Sequence, residues 1–369
     1  MTPHLLVALT AHGFGHLAQS APVINALRRR LPELRLTIYS ALPGAVLARH
    51  IDGAFHHIAR AADVGMCMQD AMEVDVPASM RAYKMFHHDW ERAVADEVCL
   101  LAEYAPHAVL ADVPYRILAA ASQLGIPALA LCSLNWADLY AHFCGGDDGA
   151  AKILGQIRRC YAGARAFLRP TPSMPMTDLT NGLAIGPIAR IGCDRRGEIL
   201  SRFGWPDGMR LILVSLGGIP SRLNITTWPA MPDLRWIVPG SWEAPRDDVL
   251  RFESLGMDFI DVLRSADALI TKPGYGSFVE AVCNGVPVLY APRRDWPEQV
   301  FLEEWLREQA PCGRIRRRQL ERGEFADELT TLLALARRPP AAPEGVVMAV
   351  NHLAALLPVR THSALRHSP

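Results

Sequence analysis

The segment Lys272-Pro273-Gly274-Tyr275-Gly276-Ser277-Phe278-Val279-Glu280-Ala281 sets two glycines and a hydroxyl where a short apolar stretch gives way to a helix. The first N–H groups of a helix lack intrahelical acceptors and lie at the positive end of its dipole. Gly274 and Gly276 therefore leave bare backbone on which a diphosphate can rest, with the Ser277 hydroxyl beside it. Glu280, about one turn further in, is within reach of ribose hydroxyls while the N–H groups hold the phosphates; its ordinary reading is a helix-surface carboxylate. Lys272 is either a cation beside the phosphates or a solvated ammonium. A second Gly-rich turn, His12-Gly13-Phe14-Gly15-His16, brings two imidazoles, groups that exchange protons near neutral pH.

Both turns require strands before them and helices after them. Leu5–Leu9 reads as a buried strand, 18–30 as an amphipathic helix and 34–39 as the next strand, a βαβ opening that 108–111, 117–124 and 128–132 repeat. Between them, 78–104 has the apolar spacing of one long helix. Prolines 170, 172, 175 and 187 with Gly182 and Gly186 break all periodicity over 169–192, the expected connector. The alternation then restarts: strands at 211–215, 236–239, 268–271 and 286–291, and helices at 259–266, 277–284 and 299–309. A last helix is expected at 346–357. These elements predict an α/β protein of two doubly wound Rossmann-like domains facing across a cleft, with residues 1–168 and 193–340 as the domains and 341–369 as a terminal helix and tail.

The chain has 369 residues, enough for two cores, and 38 basic residues balance 38 acidic ones, which speaks against a nucleic-acid partner held by bulk charge. Eight scattered cysteines without a C-x-x-C pair, and no basic, apolar leader, predict a cytoplasmic chain with reduced thiols. The opening turn also fits the dinucleotide fingerprint G-x-G-x-x-A through Gly13, Gly15 and Ala18. An NAD-dependent oxidoreductase would, however, need an acid at the end of the second strand, where Tyr39-Ser40-Ala41 stands. His12 and His16 have i, i+4 spacing, but two glycines between them make a turn, and neither the glutamate of a zinc helix nor a third ligand is marked, so no metal site is predicted. No G-x-S-x-G elbow and no G-x-x-x-x-G-K-[ST] loop occurs.

Taken in order, His12-Gly13-Phe14-Gly15-His16, Ser215-Leu216-Gly217-Gly218, the 272–281 segment and Asp295-Trp296-Pro297-Glu298-Gln299 resemble the GT-B glycosyltransferases. The likeness is greatest to the branch with the lipid-linked N-acetylglucosaminyl transferase of peptidoglycan synthesis and the UDP-sugar-dependent small-molecule transferases. The resemblance implies a nucleoside diphosphate sugar, a UDP-sugar first, held by the C-terminal domain, and an acceptor held by the N-terminal one, with no cofactor besides the donor co-substrate. It places the donor on Gly217, Gly218, Lys272, Gly274, Tyr275, Gly276, Ser277 and Glu280, the base on the backbone near Ile260, and the donor sugar on Glu298 and Gln299. Retaining relatives carry a glutamate where Lys272 stands, so inversion is implied. His12, Gly13 and Gly15 fall at the acceptor or cleft side, and His16 falls where an inverting relative keeps its base. Asp112, at a strand end of the same domain, is the candidate that orients it; the alternative is that His16 only caps its helix or donates to substrate while Asp112 caps the next helix.

Arg293, Arg294 and Trp296 either line the cleft or form a charged loop with an aromatic anchor. The basic runs 28–30 and 314–318 offer a peripheral contact with anionic lipid at the inner face of the membrane, or complement helix dipoles. Two rival functions share the scaffold: a nucleotide-sugar 2-epimerase, and a noncatalytic nucleotide-sugar-binding protein. The acceptor is not legible in the sequence.

Overall fold

The computed structural model describes residues 2–70, 72–217, 223–242 and 245–358. Gly218 lies outside the described residues.

Two wholly parallel sheets form the frame, each buried on both faces as apolar runs such as Leu5–Leu9 and Leu211–Val214 require. The front sheet is built from β1 (His4–Leu9), β2 (Arg35–Tyr39), β3 (His56–Ile58), β4 (Ala108–Asp112), β5 (Ala128–Leu131), β6 (Ala166–Pro170) and β7 (Gly182–Ile185). Its helices are α1 (Phe14–Arg30), α2 (Gly44–His50), α3 (Val76–His87), α4 (Trp90–Tyr104), α5 (Arg116–Gln123), α6 (Trp136–Cys144) and α7 (Ala150–Ala162). The rear unit comprises α8 (Arg196–Phe203), β8 (Arg210–Val214), β9 (Leu234–Val238), β10 (Val249–Arg251), α9 (Phe259–Ser265), β11 (Ala268–Thr271), α10 (Tyr275–Cys283), β12 (Val288–Tyr290), α11 (Gln299–Gln309), β13 (Cys312–Arg314), α12 (Arg317–Arg322) and α13 (Ala326–Ala334).

The strand orders are β3-β2-β1-β4-β5-β6-β7 and β10-β9-β8-β11-β12-β13. Each order reverses once, between β1 and β4 in the front and between β8 and β11 in the rear. Parallel sheets open a crevice at the carboxyl ends of the strands where the order reverses, so a ligand site is expected there. The Gly-rich turn after β1, Asp112 at the end of β4, Gly217 after β8 and Lys272 after β11 all occupy those ends.

Several elements differ from expectation. The stretch 78–104 forms two helices, because the chain leaves helical geometry at Asp89 (φ −116°, ψ 67°) and Trp90 stacks on His87 with ring centroids 4.8 Å apart. The Pro-rich segment 169–192 carries β7, a four-residue edge strand too short and too exposed to show a period. Helix α1 begins at Phe14, so His16 stands in its first turn, and α10 begins at Tyr275. The last helix, α14 (Glu344–Ala354), returns to the front sheet, where Ala349, Val350 and Leu353 join Leu17, Ile24 and Leu27 in one core.

The basic runs are engaged within the fold in part. Arg28 donates to the carbonyls of Asp52 and Ala54, Arg30 reaches Asn351, and Arg317 pairs with Glu321 and Asp70. No helix among the described residues is long and apolar enough to cross a membrane.

Candidate active site between the two sheets

The N-termini of α1 and α10 approach each other across the gap between the sheets. A Cβ at Gly276 would stand 3.1 Å from the Ala18 methyl and 3.7 Å from the Gly15 Cα, so a larger residue would push the two helices a few tenths of an ångström apart. Gly217, with φ +81°, turns the chain after β8 beneath the same meeting point, a conformation that favours glycine.

Two cavities join there. The larger, about 350 Å³, is walled by Arg190, Phe252, Glu253, Phe259 and Glu280. The smaller, about 100 Å³, is walled by His12, His16, Gln19, Ser133, Lys272, Arg293, Trp296 and Glu298. Gly15, Gly217, Gly276 and Ser277 line both.

His16 is held on its Nδ1 side. Its Nδ1–H donates to Asp112 Oδ1 at 2.9 Å, and Ser20, one turn along α1, donates to Asp112 Oδ2 at 2.5 Å. Asp112 is fully buried and both oxygens are occupied, which fixes the ring and leaves Nε2 as the free nitrogen. Burial alone would lower the His16 pKa, but the hydrogen bond and charge of Asp112, with Asp63 and Glu298 behind it, raise it above the usual imidazole value. Cys132 Sγ lies 3.6 Å from the same Nδ1. Together His16, Asp112 and Cys132 have the composition of a metal cluster, but burial drives the thiol pKa well up and the His16–Asp112 hydrogen bond already occupies the donor nitrogen. His12 has a different environment: burial, then His16, Arg293 and Lys272, push its pKa down to about 3, so it is a neutral ring, stacked on Trp296 at 6.0 Å.

On the rear side, Glu280 lies in the larger cavity, 8% exposed, and burial pushes its pKa up to about 7 against the pull of Arg190. Among the described residues nothing hydrogen-bonds its carboxyl. Lys272 is brought down to about 7 by burial and then by Arg293. Glu298 lies across the gap and accepts from Ser133 Oγ of the front unit at 2.6 Å and from Trp296 Nε1 at 3.1 Å.

Expected donor residues differ in where they stand. Tyr275 lines the smaller cavity, while its hydroxyl is spent on the connector, accepting from Ile188 N at 2.9 Å and donating to Thr171 O at 3.2 Å. Gln299 is turned away from both cavities: its amide accepts from Arg293 N and donates to Glu303, because α11 begins at this residue and its first turn needs a brace. Ile260 packs into the rear core, and its carbonyl presses on Gly192 so closely that a Cβ there would be 2.3 Å away. Phe259, its neighbour, faces the larger cavity instead, with Phe252.

Sequence reasoning missed Ser20, Gln19, Ser133, Asp63 and Arg190. Asp63 accepts from Thr10 Oγ1 and from Trp136 Nε1, both at 2.7 Å, and steadies the turn that carries His12. Ser20 alone carried a signal, being one turn beyond His16 on the same helix face.

No protein-family model matches the chain. L-arabinokinase from Arabidopsis thaliana is 25% identical over 346 residues, which cover 90% of this chain and 32% of that protein. The chain thus spans about a third of the length of the curated relative it matches. Among solved structures, the glycosyltransferase of kitacinnamycin superposes with a TM-score of 0.61 at 18% identity, over 96% of both chains. A UDP-glucosyltransferase from Polygonum tinctorium gives 0.60 at 16% identity, covering 96% of this chain and 93% of its own. The chain has the GT-B glycosyltransferase fold. In this GT-B chain the front and rear sheets are the two Rossmann-like halves, and the paired cavities lie in the cleft between them.

Proposed function

We propose that this GT-B chain is an inverting glycosyltransferase that moves a sugar from a nucleoside diphosphate sugar, a UDP-sugar first, to an acceptor hydroxyl. The observation that carries the reading is the His16–Asp112 pair, 2.9 Å apart, opening onto the same small cavity as the α10 N-terminus.

In this reading the nucleoside occupies the larger cavity, with its ribose hydroxyls donating to Glu280 and its base beside Phe252 and Phe259. The diphosphate rests where the cavities meet, on the N–H groups at Gly276 and Ser277. His16 Nε2 takes the acceptor O–H proton while the acceptor oxygen bonds to the anomeric carbon from the face opposite the diphosphate. The C–O bond to the β-phosphate breaks, and its electron pair leaves on the nucleoside diphosphate. A single displacement inverts the anomeric centre. Charge on the leaving group is met by the N–H groups of the helix terminus, which supports catalysis without a metal ion. Asp112 holds the ring and offsets the imidazolium that forms. A UDP-sugar is favoured because one protein of like fold is, by its name, a UDP-glucosyltransferase.

The test is UDP release from UDP-sugars across a library of hydroxyl acceptors. His16→Ala should lower turnover by about 10²–10⁴ while UDP still binds, the range general-base removal produces. Near-normal turnover in that variant, or a 2-epimer formed from UDP-sugar alone, would refute the reading.

A further inference from the structure

Among the described residues the small cavity holds more positive charge than its lining balances. Lys272, just after β11, and Arg293, just after β12, both line it, and neither lines the nucleoside cavity. The acid in that lining is Glu298, whose two oxygens already accept from Ser133 and Trp296. Among the described residues no acceptor meets the Lys272 ammonium, and the Arg293 Nε–H is buried without a partner. Lys272 and Arg293 are half-buried, and cations drawn out of water in this way are ordinarily paired, because losing hydration costs free energy. Their cost here shows in Lys272, held down to about 7, and Arg293, held down to about 10.

Position separates this charge from the diphosphate. The residues shared by the two cavities mark the helix terminus where the proposed diphosphate lies, and the two cations stand on the sugar's side of it. Both come from rear-sheet loops, the half assigned to the donor; His12, His16, Gln19 and Ser133 form the opposite, acceptor-facing wall. The Arg293 guanidinium carbon lies 3.8 Å from the centroid of the Trp296 ring, a cation–π contact that holds the group against the cavity wall, and a guanidinium suits paired bonds to a carboxylate.

Resting on the glycosyl-transfer reading, we propose that the transferred sugar carries a carboxylate of its own, so that the donor is a nucleoside diphosphate hexuronate, and that Lys272 and Arg293 receive that carboxylate. The experiment is isothermal titration of the full chain with UDP, UDP-glucose, UDP-galactose, UDP-glucuronate and UDP-galacturonate. One uronate should bind about tenfold or more tighter than its neutral hexose counterpart, the factor that about 1.4 kcal/mol of charge pairing supplies. In Arg293→Gln and Lys272→Met, each checked for folding by thermal melting, the uronate-to-hexose affinity ratio should fall to about one. Equal or tighter binding of the neutral hexose donors by the wild type overturns the proposal, as does a uronate preference that survives in both variants. Uronate indifference joined to tight, UDP-dependent binding of glucose 6-phosphate overturns it too and gives the cations to the acceptor. If UDP itself fails to bind the wild type, the glycosyl-transfer reading falls first and this proposal falls with it.

Discussion

Glu280→Gln should make the empty protein more stable and the liganded one weaker. Among the described residues nothing hydrogen-bonds the wild-type carboxyl, and burial pushes its pKa up to about 7 from 4.5, so at about 1.4 kcal/mol per pH unit its ionisation costs the fold roughly 3 kcal/mol. The folded pKa is raised, hence the folded state holds the proton more tightly than the unfolded chain. Stability from this group is full below 4.5 and is lost as pH rises through about 7. Glutamine keeps the shape and drops the charge, at the cost of an underused amide, about 1 kcal/mol. The variant should therefore gain about 2 kcal/mol over wild type at about pH 8, or several degrees in Tm, and lose about 1 kcal/mol at about pH 4.5.

Ligand affinity should move the other way. A carboxylate accepting from ribose hydroxyls contributes about 1.5–3 kcal/mol, so UDP should bind the variant about 10- to 100-fold more weakly. The assays are thermal melts across the pH window and UDP titration at its alkaline end. A variant less stable than wild type at about pH 8 would show that Glu280 is well satisfied in the fold, and undiminished UDP affinity would remove it from the ribose.

Asp112→Asn removes the charge that helps raise His16 and leaves at most a weaker, neutral hydrogen-bond acceptor while burial remains, so the His16 pKa should fall below its wild-type value; NMR titration of the imidazole reads this, and the acid limb of the pH–rate profile should follow it downward. Ser20→Ala frees Asp112 Oδ2 and should lower kcat by about tenfold or less with little effect on KM, because Ser20 positions Asp112 and touches no substrate; a KM effect of that size would count against it. Gly276→Ala puts a methyl 3.1 Å from Ala18, so it should weaken UDP binding by about tenfold without melting the rear half, a split visible by calorimetry against titration.

The sequence revealed the frame well because parallel sheets buried on both faces leave continuous apolar runs: Leu5–Leu9, Ala108–Ala111 and Ala268–Thr271 each stand as strands within a residue of where the pattern put them. The Gly-rich turns were visible for a related reason, since a chain leaving a strand for a helix beside a ligand needs residues without side chains. What could not be read was which way a side chain faces once its element is placed. Tyr275 lines the cleft but ties its hydroxyl to the connector, and Gln299 turns to Arg293 and α11 instead of the cleft. The Ser133–Glu298 contact joins residues 165 positions apart, and nothing local announces such a pair.

The two halves also trade parts of their cores at the acceptor end. Trp296, from the rear, is buried among front-half residues that include Trp136 and Leu134, and Met72, from the front, is buried among Ile212, Val214 and Trp236 of the rear. Around them Arg294 pairs with Glu73 at 3.2 Å, His142 with Asp295 at 2.7 Å and Arg317 with Asp70 at 3.0 Å, all partly exposed and individually weak. The apolar exchange, not the ion pairs, is what holds the cleft in this form, because burying an indole is worth several kcal/mol where an exposed pair is worth a fraction of one. It follows that the wall of the small cavity formed by Trp296 and the bound face of Arg293 exists only while the halves are together. Trp296→Ala should loosen that union and cost about 3–5 kcal/mol of the coupling between the halves, splitting one melting transition into two. A single unshifted transition would place the union elsewhere, at the α1–α10 contact and the returning α14.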